Sequence, residues 1–154
     1  MRDVLNDLLA WWRAGETVGM GTVVGTWRSA PRQPGAAMLV GPDDSAVGSV
    51  SGGCVEDDLV EKIRMNVVAA SKPELITYGV TNAEATRWGL HCGGTLELVM
   101  EPLSDASGVA ELLKRIGTQQ LVRRRLELES GRSTLEPGRW QDVLEFDGRV
   151  LTTV

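Results

Sequence analysis

Two cysteines, one histidine and a crowd of glycines hold most of the reactive chemistry in this sequence. The first cysteine stands in Gly48-Ser49-Val50-Ser51-Gly52-Gly53-Cys54-Val55-Glu56, where a strand pattern gives way to a helix pattern. Helix N-termini present unpaired N–H groups and a positive dipole end. Paired glycines let the backbone curl close to an anion with no Cβ in the way. Ser51 can cap the helix, and Cys54 falls near its first turn, where a thiolate is favoured. The functional reading is a turn of Ser51, Gly52 and Gly53 that cradles a phosphate or other ligand beside a poised thiol. The structural reading is a tight strand-to-helix turn with a small buried cysteine. Glu56, Asp57 and Asp58 oppose both an anion and a thiolate, and they suit the helix dipole in their own right.

The second cysteine lies in Trp88-Gly89-Leu90-His91-Cys92-Gly93-Gly94-Thr95, again against two glycines and now ahead of a strand. His91 either tunes Cys92, touches a ligand, or is an ordinary surface or hydrogen-bonding histidine. Cys92 is either a site thiol or a core residue. A third segment, Ser29-Ala30-Pro31-Arg32-Gln33-Pro34-Gly35, sets Arg32 between two prolines. It is either a rigid connection with a solvated Arg or a fork for phosphate or carboxylate. Zinc fits poorly, since two Cys and one His lack the paired arrangement of structural sites. A thioredoxin-like role lacks CxxC. A Cys-His hydrolase would need His91 to reach Cys54. Gly19-Met20-Gly21 begins like a dinucleotide fingerprint but follows a helix pattern and is not completed.

The elements that must carry these segments are legible from periodicity. Residues 2–14 read as a helix ended by Gly15, and 17–27 as a β-branched, glycine-punctuated strand. Residues 36–40 and 46–50 read as a hairpin around Gly41–Ser45. Val55, Leu59, Ile63 and Val67 make one apolar stripe, predicting a helix from Cys54 to about Ala70 that Pro73 stops. A strand over 74–80, a short helix capped by Asn82, and a strand over 95–101 follow. After Pro102, a helix over 107–116, a strand over 120–129 and a type I′ hairpin at Asp147-Gly148 are expected. Mixed elements without βαβ alternation make an α+β fold, a single domain over 1–154 with a helix-flanked sheet.

Composition narrows the function. The 154 residues suit one domain, and a net charge of −5 lacks the basic excess of a nucleic-acid surface. The imbalance lies in residues 1–104, with 8 basic and 13 acidic side chains, against 8 and 8 beyond. Arg123-Arg124-Arg125 is the densest basic run, read as a solvated face or a docking patch. No apolar run reaches the roughly 20 residues of a membrane helix. The sparse cysteines, and an N-terminus that does not read as a secretory signal, predict a cytoplasmic protein with free thiols.

Together and in order, five motifs resemble the XdhC/CoxI family. They are Gly21-Thr22-Val23-Val24, Ser29–Met38, Gly48–Glu56, Tyr78-Gly79-Val80 and Gly89–Gly94, spanning about residues 18–101. Residues 105–154 are compatible with an extension of the same domain. The resemblance implies an accessory protein for molybdenum hydroxylases such as xanthine dehydrogenase and carbon monoxide dehydrogenase. Such a protein would bind the molybdenum cofactor (molybdopterin) transiently, support its sulfuration and deliver it to the apoenzyme, as a maturation chaperone rather than a turnover enzyme. Cysteine is associated with cofactor binding in the family, so Cys54 and Cys92 would meet the molybdenum or dithiolene end. Ser51, Gly52, Gly53, Arg32, His91, Gly93 and Gly94 would surround the rest. Trp27 and Trp88 either stack on the pterin or pack the core. A cysteine desulfurase and a second copy of the chain are further expected partners. The family's longer members add a Rossmann-like domain whose glycine turn this sequence lacks. The alternatives are a thiol redox or sulfur-transfer enzyme and a cofactor-free docking partner of a hydroxylase.

Overall fold

The computed structural model describes residues 4–27, 32–53, 55–79, 81–87 and 94–154. Five strands form the first sheet: β1 (Gly19–Trp27), β2 (Ala37–Val40), β3 (Ala46–Gly48), β4 (Glu74–Tyr78) and β5 (Thr95–Pro102). They lie in the order β3-β2-β1-β5-β4, and every neighbouring pair is antiparallel. A second antiparallel sheet joins β6 (Val122–Glu127), β7 (Ser133–Pro137), β8 (Glu145–Phe146) and β9 (Val150–Thr153) in the order β7-β6-β9-β8. The helices are α1 (Leu5–Arg13), α2 (Glu56–Arg64), α3 (Asn82–Arg87) and α4 (Val109–Gly117).

Alternation along the central strands splits the core between two faces. Met38, Val40, Leu96, Leu98 and Met100 point to one face and pack with Leu59 and Ile63 of α2. Ala37, Leu39 and Met20 point to the other, where Val4, Leu8 and Val109 cover them. Further along that second face Val99 of β5 packs with Leu126 and Leu151 of the second sheet. One glycine of β1 makes room for this. A Cβ on Gly21 would lie 2.5 Å from Met100 Sδ and 3.2 Å from Met38 Cγ, methionines of the two flanking strands. Gly21 thus lets those side chains pack on the face that α2 covers.

The α+β class is as expected, with a second sheet added to the one foreseen. Its edge strand β7 was not foreseen. Helix α2 ends at Arg64, well short of Ala70. Asn66 and Ala69 take positive φ, Val67 is exposed, and the Ala69 N–H donates to Glu74 Oε2 at 2.8 Å. The apolar stripe therefore breaks where the chain turns toward β4. The hairpin at Asp147-Gly148 forms, but only Gly148 has positive φ there. Asp147 Oδ1 instead accepts the N–H groups of Arg149 and Val150, both at 2.8 Å. Gly148 thus occupies the first central position, a type II′ pattern rather than type I′.

The basic run is also not a solvated face throughout. Arg124 points inward from β6, 1% exposed, and makes a bidentate pair with the equally buried Glu101 of β5. Its Nε–H donates to the Ser107 carbonyl at 3.1 Å.

Gly48 closes β3 with φ +80, and a Cβ there would sit 2.4 Å from the Ala37 carbonyl oxygen and 2.6 Å from Val4 Cγ1. Backbone cannot move aside as a flexible side chain can. Gly48→Ala is therefore expected to cost about 2 kcal/mol or more, read as a lowered urea midpoint. An unchanged midpoint would contradict the placement.

Candidate functional site

Register decides where the motif-bearing connections leave the first sheet. Trp27, the last residue of β1, lies opposite Thr95, the first of β5. Tyr78, the last of β4, lies opposite Leu96. Gly48, the last of β3, lies opposite Met38 near the start of β2. The connections over 28–36, 49–55 and 79–94 therefore all depart from the same end of one sheet. The three segments that carry Arg32, the paired glycines before Cys54, and the glycines after Cys92 share that end. Cys54, His91, Cys92 and Gly93, with Trp88 and the Trp27 side chain, lie outside the described residues.

The described part of the glycine turn is organised by Glu56, one of the acidic residues whose charge opposes an added anion or a thiolate. The Glu56 carboxylate is folded back into the turn. Its Oε1 accepts the N–H groups of Val50 and Ser51, both at 2.9 Å, and the Ser49 hydroxyl at 2.7 Å. Its Oε2 accepts the Ser51 hydroxyl at 2.5 Å and the Gly53 N–H at 3.0 Å. Gly52 donates its N–H to Ser49 Oγ, and Val55 donates to Ser51 Oγ. Ser51 is buried, while Gly52 and Gly53 are exposed with φ of +80 and +111.

The electrostatics follow from this geometry. Burial by itself pushes the Glu56 carboxyl up, but the bonds from Ser51, Ser49 and Val50 outweigh it and hold the pKa at about 2. The turn is thus a backbone nest already filled by the chain's own anion. The N–H groups expected to cradle a phosphate are bonded to Glu56 and Ser49. The signal that could have revealed this is the three-residue spacing from Gly53 to Glu56, the offset by which a capping-box carboxylate reaches back to the backbone.

A second cluster secures the neighbouring strand end. Tyr78 donates its hydroxyl to Asp58 Oδ2 at 2.5 Å, and Lys62 Nζ lies 2.7 Å from the same oxygen and 5.1 Å from the centre of the Tyr78 ring. Burial first, then the bond to Asp58, pushes the Tyr78 phenol well above its ordinary range, so it stays a neutral donor. Thr95 donates its hydroxyl to the Gly79 carbonyl at 3.1 Å, tying β4 to β5 next to the buried Gly94. Arg32 is exposed. Among the described residues no group of three or more His, Cys, Asp or Glu could hold a metal ion, and no helix is long and apolar enough to cross a membrane.

The model of the XdhC and CoxI family matches residues 11–79. No curated protein matches the chain. A solved structure described as a xanthine dehydrogenase from Bacillus halodurans superposes with a TM-score of 0.67 at 21% identity, over 90% of this chain and 45% of that one. The likeness is one of fold, and the chain spans a little under half the length of that protein.

Proposed function

Residues 11–79 carry the XdhC and CoxI family pattern, and from that premise we propose that the chain is an accessory protein of a molybdenum hydroxylase of the xanthine dehydrogenase or carbon monoxide dehydrogenase type. It would hold the molybdenum cofactor while the cofactor is sulfurated and handed to the apoenzyme in the cytoplasm. The observation that carries this reading is the departure of three motif-bearing connections from one end of one sheet. In this reading the shared end serves as a binding surface built from segments far apart in sequence.

The Glu56 cage sharpens the division of roles. A phosphate would have to displace a strongly acidic carboxylate from the 50–53 turn, so Ser51, Gly52 and Gly53 serve mainly to shape the backbone on either side of Cys54. Thiols supply soft donors for a molybdenum or dithiolene group, which leaves Cys54 and Cys92 as the holding residues. Arg32, exposed between two prolines in the sequence, would be the cation for the pterin phosphate, with His91, Gly93 and Gly94 as further candidate contacts. When bound, the cofactor supplies the redox-active centre that the client enzyme needs. The chain's own task is to bind it, orient it and release it to the apoenzyme, with a cysteine desulfurase and a second copy of the chain as further partners.

The protein purified with added cofactor is expected to retain molybdenum and pterin in equal amounts. A Cys54→Ala/Cys92→Ala variant should lose at least tenfold of both, as measured by metal analysis and pterin fluorescence. Equal retention by the variant would sink the thiol site. The thiol-enzyme reading is disfavoured by Glu56, a buried negative charge two residues from Cys54 that opposes a thiolate. Alkylation rate against pH tests it. A reactive thiolate at neutral pH would favour that reading, and capture of a hydroxylase by the double-alanine variant would favour cofactor-free docking.

A further inference from the structure

A cavity of about 350 Å³ opens where the middle of β1 and the Pro34–Gly35 turn meet the end of β9 and residues 142–144. Pro34, Val143, Leu144 and Val154 make its walls mostly apolar, and Thr22, Asp142 and Thr153 are its polar residues. The Pro34–Gly35 wall is pinned to β1. Gly35 N–H donates to the Val23 carbonyl at 2.8 Å, and Val23 N–H donates to the Ala36 carbonyl at 2.9 Å. A Cβ on Gly35 would meet nothing within 4 Å, so room is left beside that wall. Ligand pockets begin at about 300 Å³, and the space suits a molecule of two fused rings.

The polar groups select the occupant. Thr22 is 4% exposed, and its hydroxyl makes no hydrogen bond in the protein. Among the described residues the unpartnered side-chain atoms sealed from solvent are Arg123 Nε and Thr153 Oγ1. Thr153 therefore contributes only wall, while the Thr22 hydroxyl stays open to solvent on a residue that borders the cavity. Asp142 supplies a carboxylate. Its Oδ2 accepts the Arg139 N–H at 2.8 Å, its N–H donates back to the Arg139 carbonyl at 3.0 Å, and among the described residues no cation pairs with it. A carboxylate held in place and left without a cation favours a ligand edge of N–H donors. Arg32 stands two residues before Pro34, so its Cα lies within about 7 Å of that wall. Its exposed guanidinium can reach an anionic group on the same ligand.

We propose that this cavity binds the 2-amino-4-oxopyrimidine edge shared by pterins and guanine. The Asp142 carboxylate accepts the neighbouring amino and ring N–H donors, the Thr22 hydroxyl donates to the ring carbonyl, and Arg32 meets a phosphate carried by the ligand. The pterin source rests on the cofactor reading above, and the guanine source does not.

The test is calorimetry on the full chain with guanosine monophosphate, inosine monophosphate, guanosine and 6-hydroxymethylpterin as probes. Guanosine monophosphate is expected to bind saturably, about tenfold tighter than inosine monophosphate, which lacks the amino group, and about fivefold tighter than guanosine, which lacks the phosphate. Asp142→Asn should erase the first preference, and Arg32→Gln the second. Thr22→Val keeps the shape and should weaken every probe about fivefold. Urea midpoints verify that each variant folds. Displacement of guanosine monophosphate by 6-hydroxymethylpterin is expected of a pterin site, and binding without displacement would assign the guanine source. Absence of saturable binding by any probe would overturn the proposal, as would binding unchanged in folded Asp142→Asn and Thr22→Val. Retention of the molybdenum cofactor by a chain that binds no probe would overturn the proposal and leave the cofactor reading standing. Probe binding without cofactor retention would do the reverse.

Discussion

Glu101→Ala is expected to destabilise the protein by about 3–5 kcal/mol, and Arg124→Ala by a similar amount. Glu101 belongs to β5 of the first sheet and Arg124 to β6 of the second, with paired contacts of 2.8 and 2.7 Å. Both residues are 1% exposed. Removing either leaves a full charge buried without its partner, against a total stability on the order of 5–15 kcal/mol for a domain. Replacing both by methionine removes the uncompensated charge together with the desolvation cost. The double variant should therefore be much less destabilised than the sum of the single ones. Urea unfolding of the four proteins measures this. Single variants costing under 1 kcal/mol would show that the pair does not hold the two sheets together.

Glu56→Ala is the second large expected effect, about 2–4 kcal/mol at neutral pH. Three backbone N–H groups and two hydroxyls lose their acceptor at once, and water reaches only the exposed Gly52–Gly53 side of the turn. The same carboxylate gives an acid signature. Its folded pKa of about 2 lies below its ordinary 4.5. The unfolded chain thus binds more protons between those values, and stability rises with pH across them. The contribution, about 3 kcal/mol at about 1.4 kcal/mol per pH unit, is complete above about pH 5.5. It is lost as pH falls through 4.5 toward 2. Urea midpoints from pH 7 to pH 2 should fall steeply for the wild type and much less for Glu56→Gln. Parallel profiles would show that Glu56 does not hold the turn. With its charge removed, Glu56→Gln should also leave Cys54 more easily alkylated at neutral pH.

Local elements were largely legible because short-range physics sets them. The apolar spacing of Leu5, Leu8 and Trp12 gave α1, and the run around Gly41–Ser45 gave the β2–β3 hairpin. What was misread involved partners distant in sequence. Residues 133–137 alternate too weakly to declare β7 until β6 supplies its ladder. The end of α2 was hidden because Val67 continues the apolar stripe, while Ala69 and Glu74 make the bond that turns the chain away.

The sequence by itself determined the α+β class, the glycine turns at Gly48 and Gly52–Gly53, and the motifs within residues 11–79 that resemble the XdhC and CoxI family. Each of these depends on neighbouring residues and their allowed backbone angles. Only the tertiary structure decided that Arg124, between two other arginines, is buried on Glu101 rather than solvated. It also decided that Glu56, whose charge opposes an anion or a thiolate there, itself fills the turn, and that three separate connections leave one end of one sheet. Charge and register depend on which partners the fold brings within hydrogen-bond reach. A carboxylate that opposes an anion in an open turn becomes that turn's own anion once the backbone closes around it.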